Sequence, residues 1–290
     1  MKLPPVLNNQ RDNMEPVFWE NGVTKIATNE KTLRSNESYQ FVNFTDSVRT
    51  LTSSVLLVTT NYGFYNLTLN LLYSIQRLFI QPTILILCED KTVYVELWKR
   101  QIKFSLKYQL ALTHLEESDT IAASRNTPTY YRIMQKRISY WEILLQRGVD
   151  VFFVDSDIVL LANPFKYFTD DNSDIFVQRD GGTACAGFFY MKANNSSKNF
   201  VEAWKRALPK DPKGNQKTFN KVIKELGKNI KVNRLPKELF MSGFEYNKFQ
   251  KAWWHWWPTP QPVEVHANFM IGKDTKENWL KKYKLWFVPD

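Results

Sequence analysis

Short apolar runs that end in polar or acidic side chains alternate along this chain with stretches whose apolar residues recur at helical spacing. That alternation constrains the fold more than any other feature. Val55-Leu56-Leu57-Val58 is such a run, and it stops at the turn Thr59-Thr60-Asn61-Tyr62-Gly63. Leu67, Leu71, Ile75 and Leu78 follow on one helical face, and Pro82 marks the helix end. Residues 83–88 form a second run closed by Glu89-Asp90, and residues 93–102 read as helical. Thr127 reads as an N-cap with Pro128 at the first helical position. That helix carries Met134, Ile138, Trp141 and Leu145 and ends at Gly148. Residues 149–154 are the third run, ended by Asp155-Ser156-Asp157 and continued by Ile158-Val159-Leu160-Leu161. Strands are expected at 175–178 and 187–191. A helix capped by Ser196 or Ser197 carries Phe200, Trp204 and Leu208, and a last one spans 216–226 and stops at Gly227.

Strands alternating with helices predict an α/β/α sandwich with a mainly parallel central sheet. Residues 1–50 are polar and weakly periodic, and read as a stem or wrapping arm; residues 51–290 read as one domain. Ligands of such sheets bind beyond the carboxyl ends of the strands. Asn61, Asp90, Asp155 and Gln178 all fall at such ends.

The 39 Lys and Arg against 29 Asp and Glu give a net charge of +10, which favours anionic partners. No zinc-finger spacing, basic helix feeding heptads or aromatic RNA-binding signature accompanies that charge, so nucleic acid is not the expected partner. Cys88 and Cys185 make neither a disulfide framework nor a zinc site. They read as buried free thiols, with one bridge as the alternative. No apolar run reaches the ~18–20 residues that cross a bilayer. The start, Met1-Lys2-Leu3-Pro4-Pro5, lacks the apolar core of a signal peptide. Sequons at Asn36, Asn43, Asn66, Asn194 and Asn195 lean toward a secretory lumen.

Asp-Ser-Asp after a buried run is the sharpest feature. Residues i and i+2 point the same way from an extended backbone, so Asp155 and Asp157 face together. Two carboxylates so placed repel unless a cation sits between them, and hard oxygen ligands suit Mg²⁺ or Mn²⁺. The alternative is a solvated turn past a strand, but the apolar residues on both sides hold these acids inside a packed unit.

Residues 148–165 resemble the DXD region of GT-A fold glycosyltransferases, and most closely the nucleotide-diphospho-sugar transferases of glycosyltransferase family 77. Further segments match in order: Thr59-Thr60-Asn61 with Asn70, Asp90, residues 131–136, Cys185-Ala186-Gly187-Phe188, His266-Ala267-Asn268 with Gly272 and Lys276, and Leu285-Trp286. The resemblance covers about residues 52–287. It implies a GT-A-like, Rossmann-type fold and a metal-dependent enzyme moving a sugar from a nucleotide-sugar to a glycan or glycoprotein acceptor, with retention. A UDP-sugar such as UDP-galactose or UDP-xylose is the implied donor. The implied place is the Golgi lumen, reached by an anchor that this chain does not contain, with the cytosol as the alternative.

The resemblance also implies roles. Asp155, Asp157 and His266 would hold the metal, and a His beside hard ligands favours Mn²⁺ over Mg²⁺. Thr59, Thr60, Asn61 and Asp90 would line the nucleoside pocket, with Ser156 between the acids. Lys136 would face the donor. Gly272 would let backbone approach phosphate and Lys276 would neutralise it. Gln216 would lie near the reacting face of the sugar, with Asp180 and Gln178 as further candidates there. This chain has Asn215 where the family usually has Asp. Trp253-Trp254-His255-Trp256-Trp257 either stacks on acceptor sugars or packs as core. Two other readings stand beside this one. A haloacid-dehalogenase-like phosphatase would use Asp155 as nucleophile and Asp157 as general acid. A catalytically silent sugar-binding module is permitted by Asn215.

Overall fold

The computed structural model describes residues 41–101, 103–113, 128–208, 214–251 and 261–289. All of them lie in the unit Gln40–Asp290. A seven-stranded sheet is made of β1 (Ser54–Thr60), β2 (Ile84–Cys88), β3 (Gln109–Leu112), β4 (Asp150–Val154), β6 (Ile175–Asp180), β7 (Thr183–Met191) and β8 (Val232–Arg234), in the order β3-β2-β1-β4-β7-β6-β8. β1, β2, β3 and β4 run parallel, β7 is antiparallel to both β4 and β6, and β8 is parallel to β6. Within this sheet β7 alone therefore opposes the rest. The mainly parallel α/β sheet is the one that the alternating pattern predicts.

Alternation along the strands builds a core on each face. Phe153 and Phe189 belong to one core with Trp141 and Trp204, while their neighbours Phe152 and Phe188 belong to the other. The first core lies under α4 (Pro128–Gln146), α5 (Asn195–Ala207) and α6 (Asn215–Leu226); the second lies under α2 (Tyr65–Gln76) and α3 (Lys91–Gln101). Trp141 and Trp204 are fully buried, with stacked ring centroids 4.8 Å apart. Each such side chain contributes about 1.5–3 kcal/mol by leaving water.

The helix signals hold in detail. Gly148 has φ 80, the left-handed value that suits glycine just past a helix end. Gly227, with φ 51, closes α6. Two expectations shift. α5 is capped by Asn194, whose side chain accepts from the Ser197 N–H, rather than by Ser196 or Ser197. The folded unit also begins before residue 51: Phe44 and Val48 of α1 (Phe44–Val48) are buried in the first core.

A second sheet completes the site. β5 (Ile158–Leu160) pairs antiparallel with β10 (Glu264–His266), which pairs parallel with β9 (Phe240–Ser242). His266 thus lies opposite Ile158, one residue past Asp157. α7 (Gly243–Lys251) and α8 (Lys273–Lys282) pack on this sheet around Val159, Tyr246, Val265 and Leu280. Cys88 and Cys185 are buried free thiols, as expected.

Candidate active site

The site is built where β4 ends. Asp155 N–H donates to the Gly187 carbonyl at 2.8 Å, and Ile158 N–H donates back to the Asp155 carbonyl at 3.2 Å. This turn places both acids beside β10. Ala267 N–H donates to the Asp157 carbonyl at 3.0 Å, which fixes the residue after His266 to the same turn.

Each acid divides its two oxygens. Asp155 Oδ1 is 3.3 Å from Arg137 Nη1, and its Oδ2 is 3.9 Å from His266 Nε2. Asp157 Oδ1 is 3.3 Å from His266 Nε2, and its Oδ2 accepts from Lys276. Lys276 also donates to the Ala267 carbonyl at 2.8 Å. Ligand atoms of Asp155, Asp157 and His266 all lie within 4.8 Å of one another.

Charge follows from this layout. Burial alone would raise the pKa of Asp157, but Lys276 and His266 outweigh it and hold the carboxyl far below the usual carboxylate range. Asp155 goes the other way: burial raises it, Arg137 opposes that, and Asp157 adds to it. Burial by itself would lower His266, yet Asp157 and Cys185 overcome burial and raise it well above its ordinary value. The point between the two acids therefore already favours positive charge. Two carboxylates and one imidazole suit a divalent ion of Mn²⁺ or Mg²⁺ type.

The far side of His266 is equally organised. Gln178 Oε1 lies 3.1 Å from His266 Nδ1, and Gln178 Nε2 donates to Glu264 Oε2 at 2.8 Å. Cys185 Sγ is 3.6 Å from the same Nδ1. Between Val177 and Arg179 β6 advances two residues while its partner β7 runs five, from Phe189 to Ala184, so the extra residues lie on β7, opposite Gln178. Such irregularities re-aim side chains, and Gln178 here lies within reach of His266. Gln178 is fully buried with its amide committed at both ends. The expectation that it faces the sugar therefore gives way to a place behind His266.

The other expected residues divide by location. Gln216 Nε2 donates to Asp180 Oδ2 at 2.7 Å, so these two candidates do meet. Asn215 is buried at the start of α6. Thr59, Thr60, Asn61 and Asp90 are all buried at the ends of β1 and β2. Asp90 accepts from the N–H groups of Tyr62 at 2.7 Å and Val93 at 2.8 Å, and the exposed Tyr62 stacks its ring on Tyr65. Gly272, with φ 86, precedes α8 and frees its N-terminus. Ser156 is half-buried between the acids. Lys136 lines a pocket with Asn43, Thr113 and Tyr140, whereas Arg137, one position further along α4, reaches Asp155. The Trp253–Trp257 run and Thr127 lie outside the described residues.

A family model described as nucleotide-diphospho-sugar transferase matches residues 80–280. The chain belongs to this family. Among curated relatives, the UDP-D-xylose:L-fucose alpha-1,3-D-xylosyltransferase 3 of Arabidopsis thaliana is 25% identical over 264 residues, covering 82% of this chain and 67% of the relative. The UDP-galactose:fucoside alpha-3-galactosyltransferase of Dictyostelium discoideum is 26% identical and covers 79% of this chain and 42% of its own length. The chain thus spans about two thirds of the plant relative and less than half of the Dictyostelium one. The solved galactosyltransferase LgtC, in complex with donor and acceptor sugar analogues, has a TM-score of 0.55 at 11% identity and covers 81% of this chain and 97% of LgtC. GlyE of Streptococcus pneumoniae has a TM-score of 0.51 at 15% identity, with 82% and 62% covered. These likenesses establish the GT-A-type fold. For a nucleotide-diphospho-sugar transferase, the phosphatase reading of Asp155 and Asp157 falls away.

Proposed function

We propose that this nucleotide-diphospho-sugar transferase moves a sugar from a UDP-sugar to a glycan or glycoprotein acceptor, with retention, at a Mn²⁺ site made by Asp155, Asp157 and His266. The convergence of these three side chains with Lys276 carries the reading. Relatives are named for UDP-xylose and UDP-galactose as donors and for fucose or fucosides as acceptors, so a fucoside is the acceptor to try first. Mg²⁺ is the alternative metal.

Asp155, Asp157 and His266 would hold a divalent ion, whose chemistry there would be to offset the charge that develops on the leaving nucleoside diphosphate. Lys276 donates to Asp157 and Ala267, and its ammonium could turn to that diphosphate; α8 begins just past Gly272, and the N–H groups of a helix start suit an anion. Arg137 opposes the upward shift that burial and the like-charged Asp157 impose on Asp155. Gln216, oriented by Asp180, supplies an amide to the reacting face, where the sugar becomes oxocarbenium-like. Thr60, Asn61 and Asp90, with the Tyr62 ring, border the nucleoside. The acceptor hydroxyl attacks on the face that the diphosphate leaves.

The Golgi lumen is the proposed place of action, with the cytosol as the alternative. Among the described residues no helix is long and apolar enough to cross a membrane.

Calorimetric titration of UDP with and without Mn²⁺ tests the donor site. The reading expects binding that strengthens at least about tenfold with Mn²⁺, as neutralised diphosphate charge requires. Equal binding with and without the metal would contradict it.

A further inference from the structure

Glu264 is fully buried. Among the described residues its Oε1 has no hydrogen-bond partner. A fold that needed only packing at this point would be served better by an apolar residue. Glu264 lies two residues before His266 on β10, so both side chains leave the strand on the same face. Gln178 spans the gap between them, 2.8 Å from Glu264 and 3.1 Å from His266.

We propose that Glu264 and Gln178 are positioning residues that fix the tautomer of His266, setting Nδ1 as its N–H and leaving Nε2 for the metal. This rests on the reading of Asp155, Asp157 and His266 as a metal site. Polarity is what the arrangement transmits. Glu264 Oε2 accepts a hydrogen bond whether or not the carboxyl is protonated on its other oxygen. It therefore draws the amide nitrogen of Gln178, which turns the amide oxygen to His266. A carbonyl oxygen only accepts, so Nδ1 must carry the hydrogen. The Nε2 lone pair is then directed between Asp155 and Asp157. Cys185, at 3.6 Å from Nδ1, does not set this choice, because a thiol both donates and accepts. Without Glu264, Gln178 can turn its NH₂ to Nδ1, which places the ring hydrogen on Nε2 and blocks the ligand atom.

The test is Mn²⁺ titration of the full chain by electron paramagnetic resonance, without nucleotide or sugar, alongside melting curves. In the double variant Gln178→Met/Glu264→Leu, Mn²⁺ affinity should fall about 10–100-fold, the usual loss when a ligand's orienting partner is removed. Its Tm should hold or rise, since two buried polar groups are removed together. The swapped variant Gln178→Glu/Glu264→Gln keeps every atom position and the same polarity, and should bind Mn²⁺ within about threefold of wild type, inside the context-dependence of such contacts. Nitrogen-15 spectra of the histidine rings with Mg²⁺ bound should show hydrogen on Nδ1 of His266 in wild type and in the swap. A double variant that melts lower but binds Mn²⁺ as wild type does, while Asp157→Ala does not, overturns the proposal and leaves the metal site standing. If wild type itself binds no Mn²⁺, the metal site and this proposal fall together.

Discussion

A side chain at position 187 would put its Cβ 2.2 Å from Oδ2 of Asp155 and 2.8 Å from Cε1 of His266. Gly187 on β7 is thus what allows Asp155 and His266 to converge. Its freedom of φ is not involved; the missing Cβ is. Gly187→Ala should push Asp155 off its present position and cost about 1–3 kcal/mol in strain. A lower Tm together with Mn²⁺ affinity weakened at least about tenfold is the expected result. An alanine variant with wild-type affinity would show that the three ligands are held by other means.

Asn70 on α2 ties the C-terminal segment to the body of the fold. Its Nδ2 donates to the Leu285 carbonyl at 3.0 Å, and its Oδ1 accepts from the Phe287 N–H at 2.6 Å. Asn70 thus joins two of the separately matched segments, the one that begins at Thr59 and the closing Leu285-Trp286. Asn70→Ala should cost about 1–3 kcal/mol for the buried groups left unpaired. That lowers Tm by roughly 2–4 °C per kcal/mol in a chain of this size. Differential scanning calorimetry reads it, and an unchanged Tm would mean the segment is held by packing alone.

Gln216 and Asp180 form a pair whose value lies in the chemistry rather than in the fold. Gln216→Ala should lower kcat about 100-fold, the usual loss for one preorganised donor at a reacting centre. The donor KM should change little. Asp180→Asn keeps an acceptor for Gln216 and should fall less. If both variants raise the donor KM with kcat intact, the pair binds the ground state and has no part in the reacting face.

Most of the fold was legible because its cause is local. Apolar runs, Pro128, Gly148 and Gly227 announce strands and helix ends from within a few residues. The three-residue strands β8, β9 and β10 carry too little periodicity to be seen, since partners far along the chain stabilise them. The acid pair was legible from Asp155-Ser156-Asp157, and His266 only through the resemblance. Glu264 and Gln178 stand 86 residues apart, so neither residue's sequence neighbours reveal their contact. Lys136 and Arg137 show the limit of helix phase: one position turns a side chain by ~100°, and the site takes the second of the two basic residues. For α5, Ser196 and Ser197 were the expected caps, and the folded backbone selects Asn194 instead.

The central claim is that Asp155, Asp157 and His266 serve the breaking of a UDP–sugar bond. The most direct measurement is UDP release from a panel of UDP-sugars in Mn²⁺, with wild type and Asp157→Ala compared and EDTA as control. Wild type should cleave one UDP-sugar, UDP-xylose or UDP-galactose first among them. The variant and the EDTA sample should be slower by about 100-fold or more, the several kcal/mol that a metal site supplies. Cleavage that persists in Asp157→Ala and in EDTA would contradict the account, and UDP binding without turnover of any donor, even with a fucoside present, would make this chain a silent sugar-binding module.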